Sequence, residues 1–154
     1  MTDLFYTTLK ARIAQLVQDL RYTHLPTGTM VAPQIIDLML PRPTAPVDEG
    51  EEYPFVRWMV FQGEFIPDGL ASFTLALDGG IYAEDVAAGN SGISALCLAL
   101  GQFVHAQAFT PYSLNGPIRF TIGNPDAEER NPGVQSHPYY HCRLLMDFSM
   151  TGVV

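Results

Sequence analysis

Apolar side chains recur at two periods along the chain, and the switches between them outline the fold. From residue 3 to 21, Phe5, Leu9, Ile13, Leu16 and Leu20 follow at steps of four, four, three and four, which lines one face of a helix. Thr2 or Asp3 is placed to cap its first turn, and Pro26-Thr27-Gly28 breaks the pattern. Residues 34–40 then alternate as a strand, with Ile36, Leu38 and Leu40 on one face. A strand is also predicted over 53–61. It is apolar on both sides, with Phe55, Met59 and Phe61 on one and Val56, Trp58 and Val60 on the other, the pattern of a strand covered on both faces.

Pro67-Asp68-Gly69 marks a turn. Ala71, Phe73, Leu75 and Leu77 then alternate with Ser72 and Thr74 over a half-buried strand at 70–77. Asp78-Gly79-Gly80 is expected to bulge or end it, leaving 81–83 as a short extension. A second helix is predicted from Asn90 or Ser91 to about Gln107, on an inner stripe of Ile93, Leu96, Cys97, Leu100 and Val104. Ala95, Leu98, Ala99 and Phe103 widen the stripe until little polar surface remains, as in a helix buried on more than one side. A loop at 108–116 leads to a strand at 117–122. The last strand, 139–150, carries Tyr140, Cys142, Leu144, Met146, Phe148 and Met150 at its even positions. The expectation is a single α+β domain over 1–154, in the order α-β-β-β-α-β-β, with an antiparallel-rich or mixed sheet packed against helices.

Composition narrows the class. The chain has 154 residues, 47% of them hydrophobic, enough for one core and few enough to make two cores uncomfortable. No apolar run reaches the roughly 18 residues of a membrane span, and Met-Thr-Asp-Leu-Phe-Tyr does not open like a signal peptide. Sixteen acidic residues against eight Lys and Arg give a formal charge of −8, which argues against direct nucleic-acid contact and points to solubility or to a basic protein partner. Cys97 and Cys142 read as small buried hydrophobes rather than as a disulfide.

Candidate chemistry fails on spacing. Gly79-Gly80 lacks the downstream residues of a phosphate loop. His137, His141 and Cys142 could be tried as zinc ligands, but neighbours on a strand point to opposite faces. Cys97 and His105 stand roughly 12 Å apart along a helix, beyond the reach of a nucleophile–base pair. The acidic groups Asp48, Glu49, Glu51, Glu52 and Asp126, Glu128, Glu129 lie in proline-flanked loops, where nothing desolvates them toward catalysis. They read as solvated charge or as contacts for a basic partner. No catalytic, cofactor or metal residue is therefore assigned.

Three stretches carry a resemblance. They are Glu52-Tyr53-Pro54-Phe55-Val56 opening a strand after an acidic loop, Thr74 to Glu84 ending a strand before the long helix, and His137-Pro138-Tyr139-Tyr140 opening a strand that ends at Phe148-Ser149-Met150. In order and spacing, over roughly residues 50–150, the chain resembles the tail terminator (tail-completion) proteins of long-tailed bacteriophages and prophages. The resemblance implies a structural protein of the virion, assembled in the bacterial cytoplasm. Such a protein forms a homo-oligomeric ring, commonly a hexamer, that caps the tail tube and meets the head-completion or connector protein. Residues 22–33 match nothing in it. Trp58 and Phe103, from the most apolar strand and helix, are the expected subunit contacts, although the same residues would also fit one ordinary core. A second reading is a monomeric binding module with Trp58, Tyr82 and Tyr140 around a small-ligand cleft. Another neck protein is a third, and a hydrolase using loop carboxylates the weakest.

Overall fold

The computed structural model describes residues 3–37, 52–67, 69–102, 112–123 and 137–150. The first helix, α1, spans Asp3–Val17. It turns Leu9, Ile13 and Val17 into the core, with Leu16 and Leu20 packed partly against it. Two short strands absent from the sequence expectation follow, β1 (Tyr22–His24) and β2 (Thr29–Val31). They form an antiparallel hairpin around the predicted Pro26–Gly28 turn, closed by Gly28 N donating to the His24 carbonyl at 2.8 Å.

The remaining strands are β3 (Gln34–Asp37), β4 (Phe55–Ile66), β5 (Gly69–Tyr82), β6 (Tyr112–Ile122) and β7 (Tyr139–Met150). They make one five-stranded sheet in the order β3-β4-β5-β7-β6. Only β3 and β4 run parallel; the other neighbours are antiparallel. The α+β class stands, with the hairpin inserted, so the order is α-β-β-β-β-β-α-β-β. The second helix, α2, spans Val86–Gly101 between β5 and β6.

Three boundaries differ from expectation for physical reasons. Strand β5 does not stop at Asp78-Gly79-Gly80; its pairing with β4 and β7 runs straight through them. Both glycines lie under side chains rather than at a bulge. A Cβ on Gly80 would come within 2.4 Å of the Phe55 ring, and one on Gly79 within 2.7 Å of Leu96. Helix α2 starts four residues early because Asp85, not Asn90 or Ser91, is its cap, accepting from Ala88 N at 2.9 Å. Gly89 lies inside this helix, and the Tyr140 ring occupies the space its Cβ would take, 2.3 Å away. Strand β6 starts at Tyr112, inside the expected loop. Between Asn115 and Arg119 it bulges away from β7, with Gly116 at φ +74°.

The core lies between the helices and one face of the sheet. Val56 and Trp58 of β4, Phe73, Leu75 and Leu77 of β5 and Cys142, Leu144, Met146 and Phe148 of β7 meet Ile93, Leu96, Cys97 and Leu100 of α2. Among the described residues α2 is covered on this side: Ala95 and Leu98 are exposed, contrary to the two-sided burial expected of it. The two-sided covering expected of β4 also differs. Its second face carries Arg57 between Phe55 and Met59, and no described helix packs there.

Candidate functional site

Strand alternation fixes what the second face of the sheet displays. The register places Arg57 of β4, Asp78 of β5 and Arg143 of β7 side by side in one row across the sheet. Arg143 grips the Asp78 carboxylate with two hydrogen bonds, Nε to Oδ1 at 2.6 Å and Nη2 to Oδ2 at 2.9 Å. Arg57 adds a third, Nη2 to Oδ2 at 3.1 Å. Asp78 is 4% exposed, the one buried charged residue among those described. Two half-buried guanidiniums on one carboxylate leave the row with a net positive charge.

On one side of this row stands an aromatic group. Tyr53 packs edge-on against Phe55 and beside Tyr139, and its hydroxyl shares a 2.7 Å hydrogen bond with His141 Nε2. Burial, aided by the neighbouring Glu52, pushes the Tyr53 phenol well above its ordinary pKa. The Arg57 guanidinium lies 5.9 Å from the centre of the Phe55 ring, a cation–π contact. On the other side of the row, Thr74 Oγ1 donates to Asp147 Oδ1 at 2.7 Å, and Arg119 Nη2 meets Asp147 Oδ2 at 3.2 Å. Arg57, Arg119 and Arg143, three of the eight Lys and Arg residues, thus gather on one face of an acidic protein.

Two corners of the sheet expose aromatic side chains. Phe65, one residue from the turn end of β4, is 82% exposed. Phe120, on the edge strand β6, is 64% exposed although its cross-strand partner Leu144 is fully buried.

A separate cleft of about 780 Å³ lies between the β1–β2 hairpin and the start of α2. Arg21, Thr23 and Met30 form one wall, Tyr82, Glu84 and Ser91 the other. Tyr22 sits at its base, with Oη donating to the Gly92 carbonyl at 2.9 Å, and burial raises its pKa to about 12.

The residues singled out by sequence fall as follows. Trp58 is 2% exposed and faces α1 and α2, so the subunit contact expected of it is corrected to a core position. Tyr140 is likewise buried, its hydroxyl 2.7 Å from His137 Nδ1, so of the trio expected around a cleft only Tyr82 lines one. Glu52 is exposed beside Tyr53. Phe103, His105, Asp48, Glu49, Glu51, Asp126, Glu128 and Glu129 lie outside the described residues. His141 and Cys142 do point to opposite faces, His141 to Tyr53 and Cys142 into the core. Cys142 and Cys97 are hydrogen-bonded thiols under the helix. That bond raises the pKa of Cys142, with burial adding to the rise, and lowers that of Cys97. No group of three His, Cys, Asp or Glu among the described residues is arranged to hold a metal, and no described helix is long and apolar enough to cross a membrane.

Sequence reasoning missed the Arg57–Asp78–Arg143 row because it read Asp78 as part of a glycine bulge. The available signal was the pair of charges at matched positions, one at the centre of each of the two strands flanking Asp78. No family model matches this chain, and no curated protein matches it.

Proposed function

We propose that the chain is a structural subunit of the tail-terminator type. Copies assemble into a ring, by the resemblance a hexamer, that caps a phage tail tube and contributes to the joint with the head-completion or connector protein. No reaction, metal, cofactor, membrane or direct nucleic-acid contact is part of this proposal. Its place of action is the virion tail, after assembly in the bacterial cytoplasm.

The observation that carries the reading is the one-sided architecture. Helices cover one face of the sheet, the other presents a cationic row in an acidic protein, and Phe65 and Phe120 are exposed at different corners. Large aromatic side chains left in solvent at separate places suit a protein that meets neighbours on several sides. The acidic loop residues Asp48, Glu49, Glu51, Glu52, Asp126, Glu128 and Glu129 supply the contacts to a basic tube or connector surface.

Light scattering after size exclusion, with negative-stain imaging at high protein concentration, tests it. The expected result is a closed ring, and co-sedimentation with tail-tube protein. A strict monomer with no affinity for tube protein would overturn the reading. One observation favours a second: the cleft between the β1–β2 hairpin and α2 has the dimensions of a small-ligand site. A monomer stabilised reproducibly by one compound in a thermal-shift screen would support that alternative instead.

A further inference from the structure

Gly79 governs how α2 meets the sheet. In the register it lies opposite Cys142 of β7, on the face that the helix covers. A Cβ at this position would meet Leu96 Cδ2 at 2.7 Å and Cys142 Sγ at 3.1 Å. With no side chain at 79, Leu96 of α2 and Cys142 of β7 therefore come down on the same spot. Cys97, the next residue along α2, belongs to the same buried cluster. Its thiol and that of Cys142 are hydrogen-bonded to each other, and neither is tied in a disulfide. An S–S bond of about 2.05 Å asks only that the two sulfurs close further, over a floor with no side chain to resist them.

The two thiols are not equivalent. Cys142 is fully buried, whereas Cys97 is 7% exposed. Their shared hydrogen bond holds the Cys97 pKa below its ordinary value and raises that of Cys142. The sulfur nearer to solvent is thus also the one that more readily becomes a thiolate, the form that attacks an oxidant.

We propose that Cys97 and Cys142 are an oxidation site for a peroxide, in which Cys97 reacts and Cys142 resolves it into a disulfide that pins α2 to β7. In the first step the Cys97 thiolate attacks one oxygen of hydrogen peroxide. The O–O bond breaks, hydroxide leaves and takes up the proton that Cys97 gave up, and Cys97 becomes a sulfenic acid. In the second step the Cys142 sulfur attacks the Cys97 sulfur, the S–O bond breaks, and the departing hydroxide carries off the Cys142 proton as water. Two thiols lose two electrons in all, and the peroxide is reduced to two waters. The bond joins elements separated in the chain by the whole of β6, so it closes a long loop and restricts the unfolded state. The chemistry belongs to the single chain and does not depend on the ring reading. In a virion, built in a reducing cytoplasm and released into an oxidising medium, the bond would close after assembly.

Peptide mapping of the folded protein after brief exposure to a small excess of hydrogen peroxide tests it. The expected product has the Cys97 and Cys142 peptides of one chain joined and two hydrogens lighter, and dithiothreitol returns both thiols. Its melting temperature should lie about 10 °C above that of the reduced protein. Cys142→Ser should stop at a Cys97 sulfenic acid that dimedone traps, while Cys97→Ser should react slower by about tenfold or more. Circular dichroism shows whether each variant is folded, and the wild-type map decides by itself where one is not. Two free thiols after exposure, a sulfinic acid at Cys97, a link between chains, or a link that forms only in urea would overturn the pairing. Equal rates in the two folded variants would overturn the assigned roles, and a link with no rise in melting temperature would overturn the pinning of α2. None of these results bears on the ring reading, which light scattering tests separately.

Discussion

The two faces of the sheet are built by the same strands and obey opposite rules. On β7, Cys142, Leu144, Met146 and Phe148 are buried against the helices, while His141, Arg143, Leu145 and Asp147, the residues between them, stay half-exposed on the other side. The helix-covered face is held by close packing and has no ion pair among its described residues. The open face is organised by hydrogen bonds to two carboxylates, Asp78 and Asp147. A packed face tolerates little loss of volume, because removed atoms leave a cavity. A face of ion pairs depends instead on how deeply each carboxylate is withdrawn from water. The difference separates what folds the domain from what it can present to a neighbour.

The packed face should give the largest effect when broken. Leu144 is buried between α2 and the middle of the sheet, and Leu144→Ala is expected to cost about 4 kcal/mol of unfolding free energy. Urea denaturation measures it. A loss below about 1 kcal/mol would mean that this face is not the core.

Next comes the centre of the open face. Asp78→Ala leaves Arg57 and Arg143 side by side with no carboxylate between them, both only about a quarter exposed. Removing the shared partner of a buried pair is expected to cost about 3 kcal/mol. Arg143→Ala should cost less, because Asp78 keeps Arg57. Equal losses for the two variants would mean that Asp78 is not shared.

These two expectations show which features were legible in the sequence. The alternation that buries Leu144 is a local pattern, so β7 was predicted at 139–150, as observed. The Asp78 row depends on register between strands 21 and 65 residues apart, which no local pattern contains. The same limit explains the helix boundary. Gly89 looks like a helix breaker until the Tyr140 ring from a distant strand is seen to need its missing Cβ. Strands β1 and β2 were missed because three-residue strands are too short for a period to emerge. Trp58 was misplaced for a different reason. Apolar residues on both sides of β4 suggested surplus surface, but Trp58 is on the helix side and fills the core.

Tyr22 of the hairpin packs into the core and hydrogen-bonds there to Gly92, which gives a smaller and pH-dependent test. Tyr22→Phe removes the Oη bond to the Gly92 carbonyl and should cost about 1 kcal/mol at neutral pH. Burial raises the folded pKa of Tyr22 from the ordinary 10.0 to about 12, so the folded state favours the neutral phenol. The stability this provides is complete below pH 10.0 and is lost as pH climbs from there through about 12. The wild type should therefore lose stability over that window. The Phe variant should lose less, retaining the share due to other groups whose pKa is raised in the folded state, Tyr53 and Cys142 among them. Parallel pH profiles for the two proteins would show that Tyr22 is not desolvated.

The smallest effect should come from the ion pair that most resembles the largest one. Arg119 and Asp147 meet at 3.2 Å on the same face as Arg143 and Asp78, but both partners are about half exposed. Water already solvates both charges, and holding two side chains in one geometry costs entropy, so Arg119→Ala should change unfolding free energy by under about 0.5 kcal/mol. What remains should vanish in 1 M salt, where the screening length falls to about 3 Å. The measurement belongs at a dilution where the protein is monomeric, so that loss of contact between copies is not counted as loss of folding. A cost comparable to that of Asp78→Ala would show that exposure does not set the strength of the ion pairs on this face.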